Sequence, residues 1–461
     1  MHIIIIGGGD VGQELAKSLF RQGHDAVVVD KDPEIVKRLN EELDFLIIHG
    51  NGANLDVLEN AKIKSARILI AVTESDEVNI IACMIAKTVG VPFVVARVRD
   101  PESAGSIDVD TRGLTQKQMG IDLIISPEKA VAEEIAKMIH FPGAVEIEYF
   151  ASGQVMVAAI NVSDKAQITH KNLNDLPLPK GCIVLGIKRP EGEFILPGGK
   201  DKINEGDKVY LAGSSDVMSE ASWLLHGEKT TVKRVIILGG GMIGYELASI
   251  LESGRGSSFI AKIIEKSEER CDFLSRRLTK TIVLQGDGTE LSFFNDEEFA
   301  EADLVVAVTG EDRTNIVASI MCQRAGVKKI ISEMTRITYK PIYKAVGITQ
   351  IINPHLSTAS KILQHTHEEN VVSLSLLRDE VAEVIELVLP ESAPVIGKKV
   401  AESGFPKGML VGAIVRGKEV IIPHGATVFE ANDSLIIFAL PNVCSRAEDF
   451  FCRSMEEQWS P

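Results

Sequence analysis

No stretch of the 461 residues approaches the roughly 18–20 consecutive apolar residues that a membrane-spanning helix needs, so no bilayer crossing is expected. Positive charge is in short supply as well. Lys and Arg number 49 against 65 Asp and Glu, a net charge of −16. That balance argues against a nucleic-acid partner, which would need a basic face, and disfavours direct docking on anionic lipid. The chain opens straight into a strand, and no signal peptide is expected. The six cysteines (Cys83, Cys182, Cys271, Cys322, Cys444 and Cys452) form no C-x-x-C pair, and no histidine cluster supplies a zinc spacing. They are expected to be reduced packing residues of a cytosolic protein. No Ser, Cys or Lys pairs with a base in a pattern that would mark a nucleophile. His365 and His367, two apart in an expected helix, face different directions and fit no metal site. What remains is ordinary core-forming composition, 45% hydrophobic and 25% charged, at a length that suggests about three domains.

The informative stretch comes first. His2-Ile3-Ile4-Ile5-Ile6 reads as a strand buried on both faces, as in a parallel sheet. Gly7, Gly8, Gly9, Asp10, Val11 and Gly12 follow, carrying G-x-G-x-x-G into a helix. The three spaced glycines suit a tight turn, close approach of a pyrophosphate and close helix–strand packing. The helix N-terminus aims free N–H groups at that pyrophosphate. Asp30, at the end of the next strand, is placed to accept from an adenosine ribose. Strand, helix and acid at this spacing make the fingerprint specific, where the glycines alone would equally fit an empty βα turn.

The same pattern recurs 232 residues later. Arg234 to Leu238 lead into Gly239, Gly240, Gly241, Met242, Ile243 and Gly244, and Glu265 supplies the second acid. Gln285-Gly286-Asp287-Gly288 matches His49-Gly50-Asn51-Gly52, and Ala307-Val308-Thr309 matches Ala71-Val72-Thr73. His49 has no histidine counterpart, which argues against a catalytic role. Strands alternating with helices predict a doubly wound parallel α/β sheet in each half, its ligand crevice beyond the strand C-termini. After each, short period-two strands with Gly/Pro turns predict a small β-rich α+β module. Pro179-Lys180-Gly181 and Pro406-Lys407-Gly408 mark the pair, as do Asp207 and Asp433. The expected division is 1–140, 141–225, a linker 226–233, 234–367 and 368–461.

At the crevice, Thr73 and Thr309 fit either a hydrogen bond to the dinucleotide or a cap for the next helix. Asn51 and Asp287 lie toward the adenine end, where turn chemistry alone would also favour them. Arg97 and Arg99, two apart and so on one strand face, fit either phosphate balance or a solvated ion pair. Glu333 and Thr335 replace them in the second half, and unequal nucleotide affinities are expected.

With this arrangement the chain resembles the Trk system potassium uptake protein A family, built of two RCK units, each a Rossmann-like N domain followed by a small C domain. The resemblance covers roughly residues 1–455. It implies a cytoplasmic regulatory subunit, peripheral on the inner membrane beneath a TrkH/TrkG-like potassium transporter; a regulator is expected and not an enzyme, the alternative being an NAD-dependent oxidoreductase with tandem Rossmann domains. It also implies a homo-oligomer, a tetramer, that binds NAD/NADH, with ATP/ADP as further ligands. The family's contacts carry over onto Gly7–Val11, Asp30, Thr73, Glu74 and Arg97, and onto Gly239–Ile243 and Glu265. The family pattern places Gly-Asp after the third strand; Asp287 keeps it and Asn51 departs from it.

Overall fold

The computed structural model describes residues 1–99, 119–227, 232–253, 259–290, 299–363, 371–377 and 382–452, apart from positions 22, 43–44, 142, 167, 300, 349 and 445. His365, His367, the 367/368 boundary and residues 228–231 of the linker lie outside the described residues. The chain forms two units, one of residues 1–136 with 231–362 and one of residues 137–230 with 363–461. The like halves of the two repeats are therefore grouped together.

In the first unit, β1 (His2–Ile6), α1 (Asp10–Arg21), β2 (Asp25–Asp30), α2 (Pro33–Glu42) and β3 (Leu46–His49) are followed by α3 (Leu55–Asn60), β4 (Ile68–Ala71), α4 (Asp76–Val89), β5 (Phe93–Arg97), β6 (Leu123–Ile125) and α5 (Pro127–His140). The strands form a parallel sheet in the order β3-β2-β1-β4-β5-β6, the doubly wound arrangement. Ile3 to Ile6 are buried because helices cover both faces. Asp32 Oδ1 accepts the Glu34 N–H at 2.8 Å to start α2. Ser75 caps α4 by accepting from Val78 N–H, and Gly90, at φ +105°, ends it. α3, capped by Asn54, had no periodic signal in six residues.

The second Rossmann half repeats this with β12 (Arg234–Leu238), α7 (Met242–Ser253), β13 (Ile260–Glu265), α8 (Glu268–Arg277), β14 (Ile282–Gln285), β15 (Leu304–Ala307), α9 (Asp312–Arg324), β16 (Ile330–Glu333), α10 (Lys340–Ala345), β17 (Gln350–Ile352) and α11 (Pro354–Leu363). Its sheet order, β14-β13-β12-β15-β16-β17, is the same. The two halves meet through α5 and α11: Lys361 Nζ lies 2.9 Å from Glu133 Oε2, and Ser357 hydrogen-bonds Glu134.

The second unit holds two five-stranded antiparallel sheets. One orders β7 (Ala144–Phe150), β8 (Val155–Asn161), β9 (Cys182–Lys188), β10 (Phe194–Ile195) and β11 (Lys208–Gly213) as β10-β9-β11-β8-β7, with α6 (Ser215–His226) following. The other orders β18 (Val371–Leu376), β19 (Glu383–Val388), β20 (Met409–Arg416), β21 (Glu419–Ile421) and β22 (Ser434–Ala439) as β18-β19-β22-β20-β21. Leu185, Tyr210 and Ala212 of the first pack with Val384, Ala413 and Phe438 of the second in one buried cluster. Alternation puts that face inward from both sheets. No helix among the described residues is long and apolar enough to cross a membrane.

Candidate functional site

The crevice of the first half is built on backbone that no side chain could occupy. Gly7 turns at φ +106°, and a Cβ on Gly12 would stand 1.8 Å from Gly7 O. Gly9 is different: a Cβ there would meet no atom within 4 Å, so the floor of the loop is open. Val11 is buried and Asp10 is exposed. The first bond inside α1 runs from Gln13 N–H to Gly9 O at 2.9 Å. The N–H groups of Asp10, Val11 and Gly12 precede it and point from the helix end. Asp30 sits at the end of β2, its Oδ2 accepting the Gly8 N–H at 2.6 Å and its Oδ1 accepting the Asp32 N–H at 2.8 Å.

The second half reproduces this geometry. Gly239 has φ +108°, a Cβ on Gly244 would lie 2.1 Å from Gly239 O, and Gly241 faces open space. Glu265 Oε2 accepts the Gly240 N–H at 2.7 Å. Met242 and Ile243, half-buried, open α7.

Thr73 and Thr309 hold the ends of β4 and β15, and their hydroxyls are spent locally. Each donates to an asparagine Oδ1, Thr73 to Asn79 at 2.7 Å and Thr309 to Asn315 at 2.8 Å. Both asparagines are fully buried. Asn79 Nδ2 also donates to Thr73 O and Arg97 O, tying the ends of β4 and β5 together. The threonines thus act through this asparagine and not as N-caps of the next helix. Asn51 Oδ1 accepts the Ala53 N–H and Asp287 Oδ1 the Thr289 N–H, each at 2.9 Å, so both residues make the turn after the third strand. Bonds from Thr289, with Lys266 beside it, hold the Asp287 carboxyl down at about 2.

β5 ends at Arg97, which places Arg99 beyond the strand. Arg97 turns inward: Nη1 reaches Thr73 O at 3.4 Å, and its Nε is buried without a hydrogen-bond partner among the described residues. Arg99 is exposed, 3.9 Å from the exposed Glu74. In the second half Glu333 takes the place of Arg97, is buried, and accepts the Gly310 N–H. Burial pushes its carboxyl up to about 7.

Two further residues enter the crevices without a signal in the glycine motifs. Arg270, on α8, donates from Nε to Gly240 O at 2.6 Å and lies 4.2 Å over the Phe273 ring. The matching residue of the first half is Ile35, so comparison of the repeats one turn beyond the acid would have found it. His355 opens α11 and sits 3.6 Å from Asp10 Oδ2. Glu128, on α5, is its counterpart. The charge of Arg97 acts on both His355 and Glu128, and that of Glu128 acts on Glu333. Among the described residues no group of three His, Cys, Asp or Glu side chains is placed to hold a metal. Burial holds the Cys322 thiol up near 12 and raises Cys83 further.

Two open glycine loops, each backed by an acid, with paired antiparallel β modules elsewhere in the chain, define a tandem RCK fold. The GsuK RCK domain shares it over 97% of this chain and 94% of that one, at a TM-score of 0.58 and 19% identity. The GsuK channel bound to NAD does so over 97% and 78%, at a TM-score of 0.59 and 19% identity. The TrkA-N domain family matches residues 3–127 and 235–354, and the TrkA-C domain family residues 157–225 and 384–451. The chain is 34% identical over 458 residues to Trk system potassium uptake protein TrkA homolog 1 of Methanosarcina mazei, covering 98% of this chain and all of that one. It is 31% identical to Trk system potassium uptake protein TrkA of Azorhizobium caulinodans over 463 residues, 99% and 100% of the two. The chain belongs to the TrkA family of Trk system potassium uptake proteins.

Proposed function

We propose that this chain is a nucleotide-sensing regulatory subunit that gates a Trk-type membrane potassium transporter and performs no chemistry of its own. NAD(H) binds the first crevice through Gly7, Gly8, Gly9, Asp10, Val11, Gly12, Asp30, Asn51, Thr73, Glu74 and Arg97. It binds the second through Gly239, Gly240, Gly241, Met242, Ile243, Gly244, Glu265, Asp287 and Thr309. ATP and ADP compete for the same adenosine-diphosphate cradle. The observation that carries this reading is the open floor at Gly9 and Gly241, flanked by helix-end N–H groups and by Asp30 or Glu265.

Occupancy stabilises one arrangement of Rossmann and β modules, divided at 1–140, 141–225, 226–233, 234–367 and 368–461. The effect on the transporter is bounded by the difference in nucleotide affinity between its states. Assembly as a homotetramer on the cytoplasmic face fits the apolar residues left exposed on α4 and α9, Ile81, Met84 and Val317. The test is titration of the full chain with NADH, NAD, ATP and ADP, with capture of the transporter from membranes. Saturable binding without turnover of NADH is expected; indifference to all four nucleotides at millimolar concentration overturns the reading.

A further inference from the structure

Beside the first crevice the two Rossmann halves enclose a cavity of about 310 Å³, walled by Asp10, Gln13 and Lys17 of α1 and by Arg336, Asn353 and His355 of the second half. Asp10 belongs both to the glycine loop and to this wall. Opposite it, His355 Nε2 is buried with no hydrogen-bond partner among the described residues, its nearest anion being Asp10 Oδ2 at 3.6 Å. That separation is longer than a hydrogen bond. A buried imidazole nitrogen left unmatched by the protein is costly, and a ligand group that pairs with it removes that cost. Arg97 Nε, also buried and unmatched, is close enough for its charge to act on His355.

We infer that His355, supplied by the second Rossmann half, is a phosphate-side contact of the nucleotide held by the first half, and that it takes up a proton from solvent when that nucleotide binds. The inference rests on the nucleotide reading above. Without ligand, burial holds the imidazole toward its neutral form, and Arg97 acts the same way. Asp10 on α1, Glu74 after β4 and Asp312 on α9 oppose this. Glu14 and Lys17 on α1 and Arg336 after β16 also face the cavity. A pyrophosphate at the α1 N-terminus brings two negative charges to this corner, offsets Arg97 and favours imidazolium. The contact is asymmetric between the repeats, since the residue matching His355 is Glu128 and the one matching Arg97 is Glu333. Occupancy of the first crevice is thereby felt directly by a side chain of the second half.

NADH is the suitable probe, because its pyrophosphate diester does not titrate between pH 6 and 8. Calorimetry on the full chain is expected to show the tighter binding event strengthening about tenfold from pH 8 to pH 6, as imidazolium replaces imidazole beside the phosphates. The heat at intermediate pH should change with the ionisation enthalpy of the buffer, in the sense of proton uptake. His355→Gln is expected to lose both effects. His355→Lys, a fixed cation, should bind at pH 8 about as tightly as the unaltered chain does at pH 6. Identical pH profiles for the unaltered chain and His355→Gln would overturn the inference while leaving nucleotide sensing intact. Absence of NADH binding at every pH would overturn both.

Discussion

Arg97 and Glu333 stand at the same place in the two parallel sheets, the carboxyl end of the fifth strand, with opposite charges and both turned inward. A guanidinium there complements a pyrophosphate; a carboxylate there repels it unless protonated. The second crevice has its own cation in Arg270, but on the other wall and bonded to Gly240 O. The full chain should therefore bind NADH in two unequal events. Arg97→Gln is expected to weaken the tighter one by about tenfold or more, consistent with loss of one charge-assisted bond. Glu333→Gln should strengthen the weaker one. Equal constants in a two-site calorimetric fit, unchanged by either substitution, would remove the asymmetry.

Glu333 also makes stability depend on pH. Its carboxyl lies near 7 in the folded chain against an ordinary 4.5, chiefly through burial. The folded state therefore holds a proton between about pH 4.5 and 7 that the unfolded state has released. Stability contributed by this group is highest below pH 4.5, falls as pH rises through that window, and is level above it. Glu333→Gln keeps the shape and removes the charge. At pH 8 it should stabilise the Rossmann unit by about 3 kcal/mol, the equivalent of the shift, and flatten the pH 5–7 slope of the melting temperature. A variant that melts in parallel with the parent at every pH would show that Glu333 is not the titrating group.

Asp30, the proposed ribose acceptor, also fixes the geometry of the glycine loop. Its two oxygens already take the Gly8 and Asp32 N–H groups, leaving outward lone pairs for a ribose. Asp30→Ala removes the ribose acceptor and frees the loop N–H, and should weaken NADH binding by one to two orders of magnitude, on the order of 2 kcal/mol. Asp30→Glu should recover part of it, because Glu265 does the same work in the second half at 2.7 Å. An affinity indifferent to Asp30→Ala would place the adenosine elsewhere.

The residues of these crevices differ in how far their own sequence pattern announces them. Both Rossmann sheets were legible because isoleucine and valine runs alternate with capped helices, a signal local to each element. The open loops followed from Gly7, Gly9 and Gly12 at fixed spacing. Arg270 and His355 were not legible. α8 and α11 set them against glycine loops some 30 residues away or in the other repeat, and neither helix advertises that in its own pattern. Arg97 and Arg99 do not share a strand face as their two-residue spacing suggests, because β5 ends at Arg97 and Arg99 falls outside the strand. The grouping of like halves was hidden too, since the chain alternates Rossmann and β modules and the shared cores join segments more than 200 residues apart.

In the β unit, Asp207 and Asp433 are the matched acids, both fully buried. Asp433 takes Arg416 Nε at 2.8 Å and Nη2 at 2.9 Å, with Glu430 N–H on Oδ2. Asp207 is held by Arg189 and by Asn204 N–H. Removing the cation strands a buried carboxylate. Arg416→Met should cost about 3 kcal/mol in chemical denaturation at pH 7, and adding Asp433→Asn, which removes the stranded charge, should recover part of it. A loss that Asp433→Asn leaves unchanged would assign the effect to packing of the arginine stem.

The shared β core makes the sharpest structural prediction. Gly412 lies at the irregularity in β20, and a Cβ there would stand 2.6 Å from Leu185 Cδ2, a fully buried side chain of the other sheet. Gly412→Ala therefore overpacks the core and should destabilise the chain by about 1–3 kcal/mol. Leu185→Ala leaves a cavity and should cost about 2–5 kcal/mol alone. If the two sheets pack face to face as described, the double variant should be less destabilised than the sum, with a coupling of about 1 kcal/mol or more, because the new methyl fills part of the space that leucine vacates. Strict additivity would mean that Gly412 and Leu185 are not in contact, and the common core joining the two β modules would lose its clearest contact.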